Sequence, residues 1–166
     1  MEVQRAAVVD ARPEAVAGAV LVPVAIGELA DKITILEIKS ERITDATKLR
    51  NVRAELEQLR AVWDRRGARP AALEALAREL KQTNESLWEV EDGIRDCERR
   101  RDFGRQFVEL ARAVYRTNDR RTAIKREINL LAGSAIIEEK SYRAYRSEAV
   151  GPSDVAEQAA APPGAE

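Results

Sequence analysis

Apolar residues recur along this chain in alternating steps of three and four, over four separate stretches. The first carries Ile26, Leu29, Ile33, Leu36 and Ile43, with Ser40 at the remaining position of the row. The second carries Leu49, Val52, Leu56, Leu59 and Trp63. The third carries Leu73, Leu76, Leu80, Leu87, Val90, Ile94 and Cys97, interrupted by Thr83. The fourth carries Phe103, Phe107, Leu110, Val114, Ile124, Ile128 and Leu131, interrupted by Thr117 and Arg121. Steps of three and four hold side chains on one face of a helix with 3.6 residues per turn. The pattern therefore predicts four amphipathic helices whose apolar rows pack against one another.

Punctuation between the rows agrees. Asp45 can cap the second helix, Gly67 can end it, and Pro70 falls where the third begins and a missing N–H is harmless. Asp102 is a candidate cap for the fourth helix and Gly133 a candidate stop. Gly93 lies inside the third helix, at a cost of about 1 kcal/mol against alanine, so a bend or a close helix approach is expected there. Short links make sequential helices antiparallel neighbours. At 1.5 Å per residue the first two helices span roughly 27–31 Å and the second two roughly 44 Å, so one hairpin outreaches the other. The expected fold is all-α. It is an antiparallel bundle of four main helices in two hairpins, the second longer, with a short C-terminal docking helix over 134–146.

Domain organisation follows from composition. Residues 1–18 read as a loose N-terminal segment, 19–146 as one helical domain, and 147–166, rich in Ala, Pro and acidic residues, as a disordered tail. Val20-Leu21-Val22-Pro23-Val24 reads as a short extended segment laid on the bundle.

The first helix has a second apolar face. Ile35 and Ile38 fall roughly 140–200° from Ile33 at 100° per residue, together with Asp31 and Arg42. A helix with two apolar faces is covered twice. The second cover is either the 136–145 segment, with Ile136, Ile137, Tyr142 and Tyr145 as anchors, or another subunit. Asp31, Ile35, Ile38 and Arg42 are accordingly interface candidates.

Composition narrows the chemistry. The chain of 166 residues has no histidine and one cysteine, with 34% charged and 4% aromatic residues. Histidine-based nucleophile activation, an internal disulfide and the usual zinc sites drop out. No GxGxxG or Gly-Lys-Ser/Thr loop is present, and the sequence names no metal and no cofactor. Glu91, Asp92 and Asp96 on the third helix, and Glu28 and Asp31 on the first, are of the kind helical nucleoside-triphosphate hydrolases pair around Mg²⁺, but they have basic neighbours at helical spacing and read first as surface ion pairs. The net charge of −1 gives no global pull toward nucleic acid or anionic membrane, although 95–126 carries eleven basic and five acidic residues. That segment lacks interleaved aromatics and a groove-fitting motif, so nucleic acid ranks last among partners. The apolar run Ala15–Ile26 is too short to span a bilayer and carries no export signal, so the expectation is no membrane span and a cytoplasmic location.

The two interruptions coincide if the third and fourth helices form a hairpin in which facing residue numbers sum to about 200. Thr83 then meets Thr117, Asn84 lands beside Asn118, and Leu80 faces Arg121. One reading is a buried polar layer that fixes register. Such a device predicts that Arg121→Leu keeps or raises the melting temperature. The other reading is an anion or substrate site. There Arg121, with Lys125 or Arg116, supplies charge, and Asn84, Asn118 and Glu91 orient the ligand. A buried arginine requires a partner: an acid from the first helix, Glu91, or a ligand.

GELADKITILEIKSERI at 27–43, the run from Asn84 to Glu98, and FVELARAVYRTNDRRTAIKREINLL followed by EEKSY resemble an uncharacterised bacterial family of small helical proteins. The resemblance spans Val22 to Tyr145. It implies a genetic context of sugar transfer and cell-surface polysaccharide, and no mechanism. Two function classes stay open. The leading one is a non-catalytic binding or assembly module, oligomeric or paired with a helical protein. The alternative is an enzyme or binder acting on a phosphorylated or sugar-nucleotide ligand through the basic fourth helix. A concave pocket where Arg, Asn and acids converge favours the ligand; a flat apolar patch favours assembly.

Overall fold

The computed structural model describes residues 20–141. Within them lie four helices and no strand: α1 (Ile26–Arg42), α2 (Ala46–Asp64), α3 (Ala71–Arg100) and α4 (Arg105–Leu131). The expected loose segment 1–18, the tail 147–166 and the end of the expected docking helix lie outside the described residues. Over 134–141 the chain forms no helix; it runs as an irregular segment alongside α1 and α4. Val20, Leu21, Val22 and Val24 are exposed rather than laid on the helices.

Local chemistry sets most boundaries. Asp45 caps α2, its side chain accepting from the Lys48 amide at 2.8 Å. Pro70 is the N-cap of α3. Asp102 accepts instead from the Gly104 amide, so it fixes the α3–α4 turn while Gly104 occupies the N-cap of α4. After α4, Gly133 takes φ +62°, and the amides of Gly133 and Ser134 return to the carbonyls of Leu130 and Asn129. That left-handed closure satisfies two carbonyls that the helix end leaves open.

α1 is the central element. Its Leu29, Ile33 and Leu36 pack on Leu56 of α2, with Val52, Leu59 and Trp63 around them. Its Ile26 and Ala30 join Leu73 and Leu80 of α3 and Ile124 and Ile128 of α4 in a second cluster. Trp63 packs against both clusters. α2 packs closely on α1 alone, whereas α1 also contacts α3 and α4, which pack on each other. Along the α3–α4 hairpin, Glu79 pairs with Arg120, and Leu110 leans against Gly93. The close approach expected at Gly93 is therefore a leucine side chain seated over a missing Cβ.

Candidate functional site

Three helices meet at Asp31. This residue is 1% exposed, on the face of α1 turned toward α3 and α4. Arg121 of α4 grips its carboxylate with two parallel bonds, Nε to Oδ1 at 2.8 Å and Nη2 to Oδ2. Asn84 of α3 donates to the same Oδ1 at 2.9 Å and to Thr34 Oγ1 at 3.0 Å. Thr34 in turn donates to the Asp31 carbonyl at 2.8 Å. Arg121 Nη1 reaches Asn118 Oδ1 at 3.4 Å, and Asn118 donates back to the Val114 carbonyl. No buried side-chain polar atom among the described residues lacks a partner. The fork geometry suits arginine, whose guanidinium matches both carboxylate oxygens. The bonds to Asp31 lift the Arg121 guanidinium above its ordinary range, against the opposing pull of burial.

One helical turn away lies a second charged cluster. Lys125, 6% exposed, donates to Glu28 of α1 and, at 2.9 Å, to Glu138 of the segment after α4. Burial pulls its ammonium down, but the bonds to Glu28 and Glu138 outweigh that and raise it. Lys125 in turn holds the Glu138 carboxyl below the usual range. Beyond Lys125, Asn129 accepts from the Gly27 amide at 2.6 Å, and Ser134 accepts from the Ile26 amide at 3.3 Å. The N-cap of α1, Ala25, offers no side-chain bond, so side chains at the end of α4 cap α1 from outside. Gly27 permits this contact: a Cβ there would stand 2.5 Å from the Lys125 carbonyl oxygen.

Beside the Asp31 layer the helices part, leaving a cleft of about 330 Å³. Ile35 and Ile38 of α1 and Leu87 and Trp88 of α3 form its apolar walls, and Glu91, Asp92 and Arg95 its charged rim. Asn84 and Arg121 lie at the end nearest the buried layer. Glu91 pairs with Arg95 at 3.1 Å.

The structure thus brings Asn84, Asn118 and Arg121 into one network, and Glu91 shares the cleft with two of them. Lys125 stands a turn away with its own acids. Arg116 is exposed on α4 and lines neither the network nor the cleft. Of the partners open to Arg121, the one in place is the acid from α1. Among the residues first marked for an interface, Asp31 is that acid, Ile38 is 1% exposed and Ile35 half-buried. Arg42 lies over the Trp88 ring at 5.8 Å and pairs with Glu89. Thr34, Asn129 and Ser134 escaped the sequence reading, and Glu28, expected in a surface ion pair along α1, is held by Lys125 of α4 instead. For Asn129 a signal existed, a lone amide enclosed in Ile128-Asn129-Leu130-Leu131.

Among the described residues no group of three or more Cys, Asp and Glu is placed to hold a metal ion, and no helix is long and apolar enough to cross a membrane. A family model described as "Family of unknown function (DUF6165)" matches residues 20–156, and the chain belongs to that family. No curated protein and no solved structure matches it.

Proposed function

We propose that this member of the family of unknown function is a non-catalytic assembly module, a four-helix bundle of two hairpins whose longer hairpin receives a second copy of the chain. The unequal reach of the helices carries this reading. α1 makes its last anchors on α3 through Arg42, against Trp88 and Glu89. α3 continues to Arg100, roughly 16 Å beyond Glu89 at 1.5 Å per residue. On this projection Ile94, Phe107 and Leu110 are half-buried, and Phe103 and Val108 are 52% and 50% exposed. In the covered half of the same hairpin, Leu80, Ile124 and Ile128 are fully buried.

Two helices alone cover Cys97 but leave Phe103 and Val108 open at the flank. A second projecting hairpin, laid against the first about a two-fold axis, would close both rows at once. Charge favours a like partner. Arg95, Arg99 and Arg105 on the projection are paired locally with Glu91, Asp96 and Glu109, so two copies present mixed signs to each other. The half-buried Arg121 is spent on Asp31, and the buried Lys125 on Glu28 and Glu138, which supports a framework role for the polar layer.

The reading as an enzyme or binder of a phosphorylated or sugar-nucleotide ligand has one observation in its favour, the cleft with Arg121 and Asn84 at its inner end. Against it, the site's basic groups already face carboxylates, and Glu91 and Asp92 add more at the rim.

Light scattering after size exclusion tests the assembly. The wild type is expected to be dimeric at tens of micromolar, and Phe103→Ser with Val108→Glu monomeric at unchanged helix content. A wild-type monomer at that concentration overturns the assembly. A rise in melting temperature with inorganic phosphate or a nucleotide sugar, abolished by Arg95→Gln, would select the ligand reading instead.

A further inference from the structure

We infer, on the dimer proposed above, that each copy seats its hairpin tip, Phe103 with Arg101, in the cleft beside the other copy's Asp31. The two projecting hairpins then overlap antiparallel, and the contact is made twice. The face that α1 covers does not stop where α1 stops. On α3 it is built by Leu80 and Asn84, and on α4 by Arg121 and Lys125. At helical steps the same two rows run on past the end of α1, as Leu87, Glu91 and Arg95 on α3 and Val114, Ala111 and Phe107 on α4. The cleft lies at the inner corner of this continued face and reaches out along it to Arg95.

Length sets the register. Trp88 and Arg100 each lie six residues from Ile94 along α3, roughly 9 Å at 1.5 Å per residue. A two-fold axis crossing the hairpins at Ile94 brings the end of one α3 to the level of the other copy's Trp88. Deeper overlap is blocked, because α1 ends there with Arg42 over the Trp88 ring. Shallower overlap leaves more of Phe103 and Val108 in water. The overlap that buries most apolar surface without collision therefore puts each tip at the mouth of a cleft.

Chemistry matches the two parts. Phe103 is exposed yet held, its ring edge-on to Phe107 with 5.3 Å between centroids. The cleft offers this ring the half-buried Ile35, Leu87 and Trp88, above a floor closed by the buried Ile38. Charges oppose each other in the same sense. Asp92 on the cleft rim and Arg101 at the tip are both exposed, and among the described residues of one copy neither has an ion-pair partner. Arg101 keeps its cation at φ +53°, a left-handed position that glycine would fill without strain. The acid next to it, Asp102, is spent on the Gly104 amide.

Sedimentation equilibrium of the full chain tests the seating by charge exchange. Asp92→Arg and Arg101→Asp are each expected to weaken association about tenfold, and the two together to restore it to within about threefold of wild type. Both sites are exposed, and aspartate tolerates the left-handed conformation at 101, so helix content should not change. Acrylamide quenching gives a second reading. Trp63→Phe leaves Trp88 as the one tryptophan, and its quenching slope should fall as rising concentration converts monomer to dimer. A monomeric wild type overturns the assembly and the seating together. A dimer that neither single exchange weakens, or that the double exchange does not restore, overturns the seating and leaves the assembly standing. Equal quenching of Trp88 in monomer and dimer does the same.

Discussion

Arg121 closes a fork on Asp31 across 90 residues of chain, and the carboxylate it holds is the most deeply buried charge of α1. The pair joins the central helix to the far helix, and Asn84 ties the third to the same oxygen. Removing Arg121 leaves Asp31 buried and uncompensated, which costs about 3–5 kcal/mol. Arg121→Leu should lower stability by that order in denaturant unfolding, and Asp31→Leu by less, because the half-buried Arg121 keeps access to water. The double variant should lose less than either alone, because a matched apolar pair leaves no orphan charge. A single Arg121→Leu that unfolds no more easily than wild type would show that the fork is absent in solution. Arg121 viewed by itself predicts the opposite sign; the buried acid opposite it reverses the expectation.

The tie between Lys125 and the segment after α4 should depend on pH at both ends. The folded pKa of Glu138 lies below its ordinary 4.5, so its contribution is present above that value and is lost as pH falls through the lower folded one. Lys125 is raised above 10.5, so its contribution is present below that value and is lost as pH rises through the higher folded one. Amide exchange over 134–141 should be slowest between these limits, relative to an exposed reference amide. Glu138→Gln should flatten the acid limb and leave the alkaline limb, which Glu28 also supports.

Gly27 and Gly93 should respond oppositely to alanine. At Gly27 the new Cβ meets the Lys125 carbonyl oxygen at 2.5 Å, a backbone atom that cannot turn aside. Overpacking of this kind costs about 1–3 kcal/mol. At Gly93 the neighbours are the two methyl groups of half-buried Leu110, at 3.1 and 3.3 Å, which can rotate. The gain in helix propensity, up to about 1 kcal/mol, should then dominate. Thermal melts of the two variants check both signs.

Asn129→Leu isolates the tertiary cap of α1. It keeps the side chain's size and removes the acceptor that the Gly27 amide uses at 2.6 Å. A buried amide without an acceptor costs about 1–3 kcal/mol. Asn129→Asp, which keeps an acceptor near the positive end of α1, should recover part of the loss. Equal melting temperatures for all three proteins would contradict the cap.

Sequence by itself determined the helices. Rows such as Leu73, Leu76, Leu80 and Leu87 repeat at a period that only a helix can bury, and Asp45 acts on an amide three residues away. These are interactions within a turn or two, where spacing along the chain is distance in space. The coincidence of Asn84, Asn118 and Arg121 was legible for the same reason, since a hairpin fixes which positions face each other. The rest was decided between elements. Nothing in the row of α1 states that Asp31 will face Arg121 rather than a second subunit, because the partner is chosen by how α1 settles on the α3–α4 hairpin. The start of α1 carries no local capping side chain, so its caps, Asn129 and Ser134, could come only from a chain end folded back beside it. Where the helices part beside Ile35 and Ile38 is likewise set by packing across the fold. Periodicity shows that a face is apolar; what covers it depends on contacts between residues far apart in the chain.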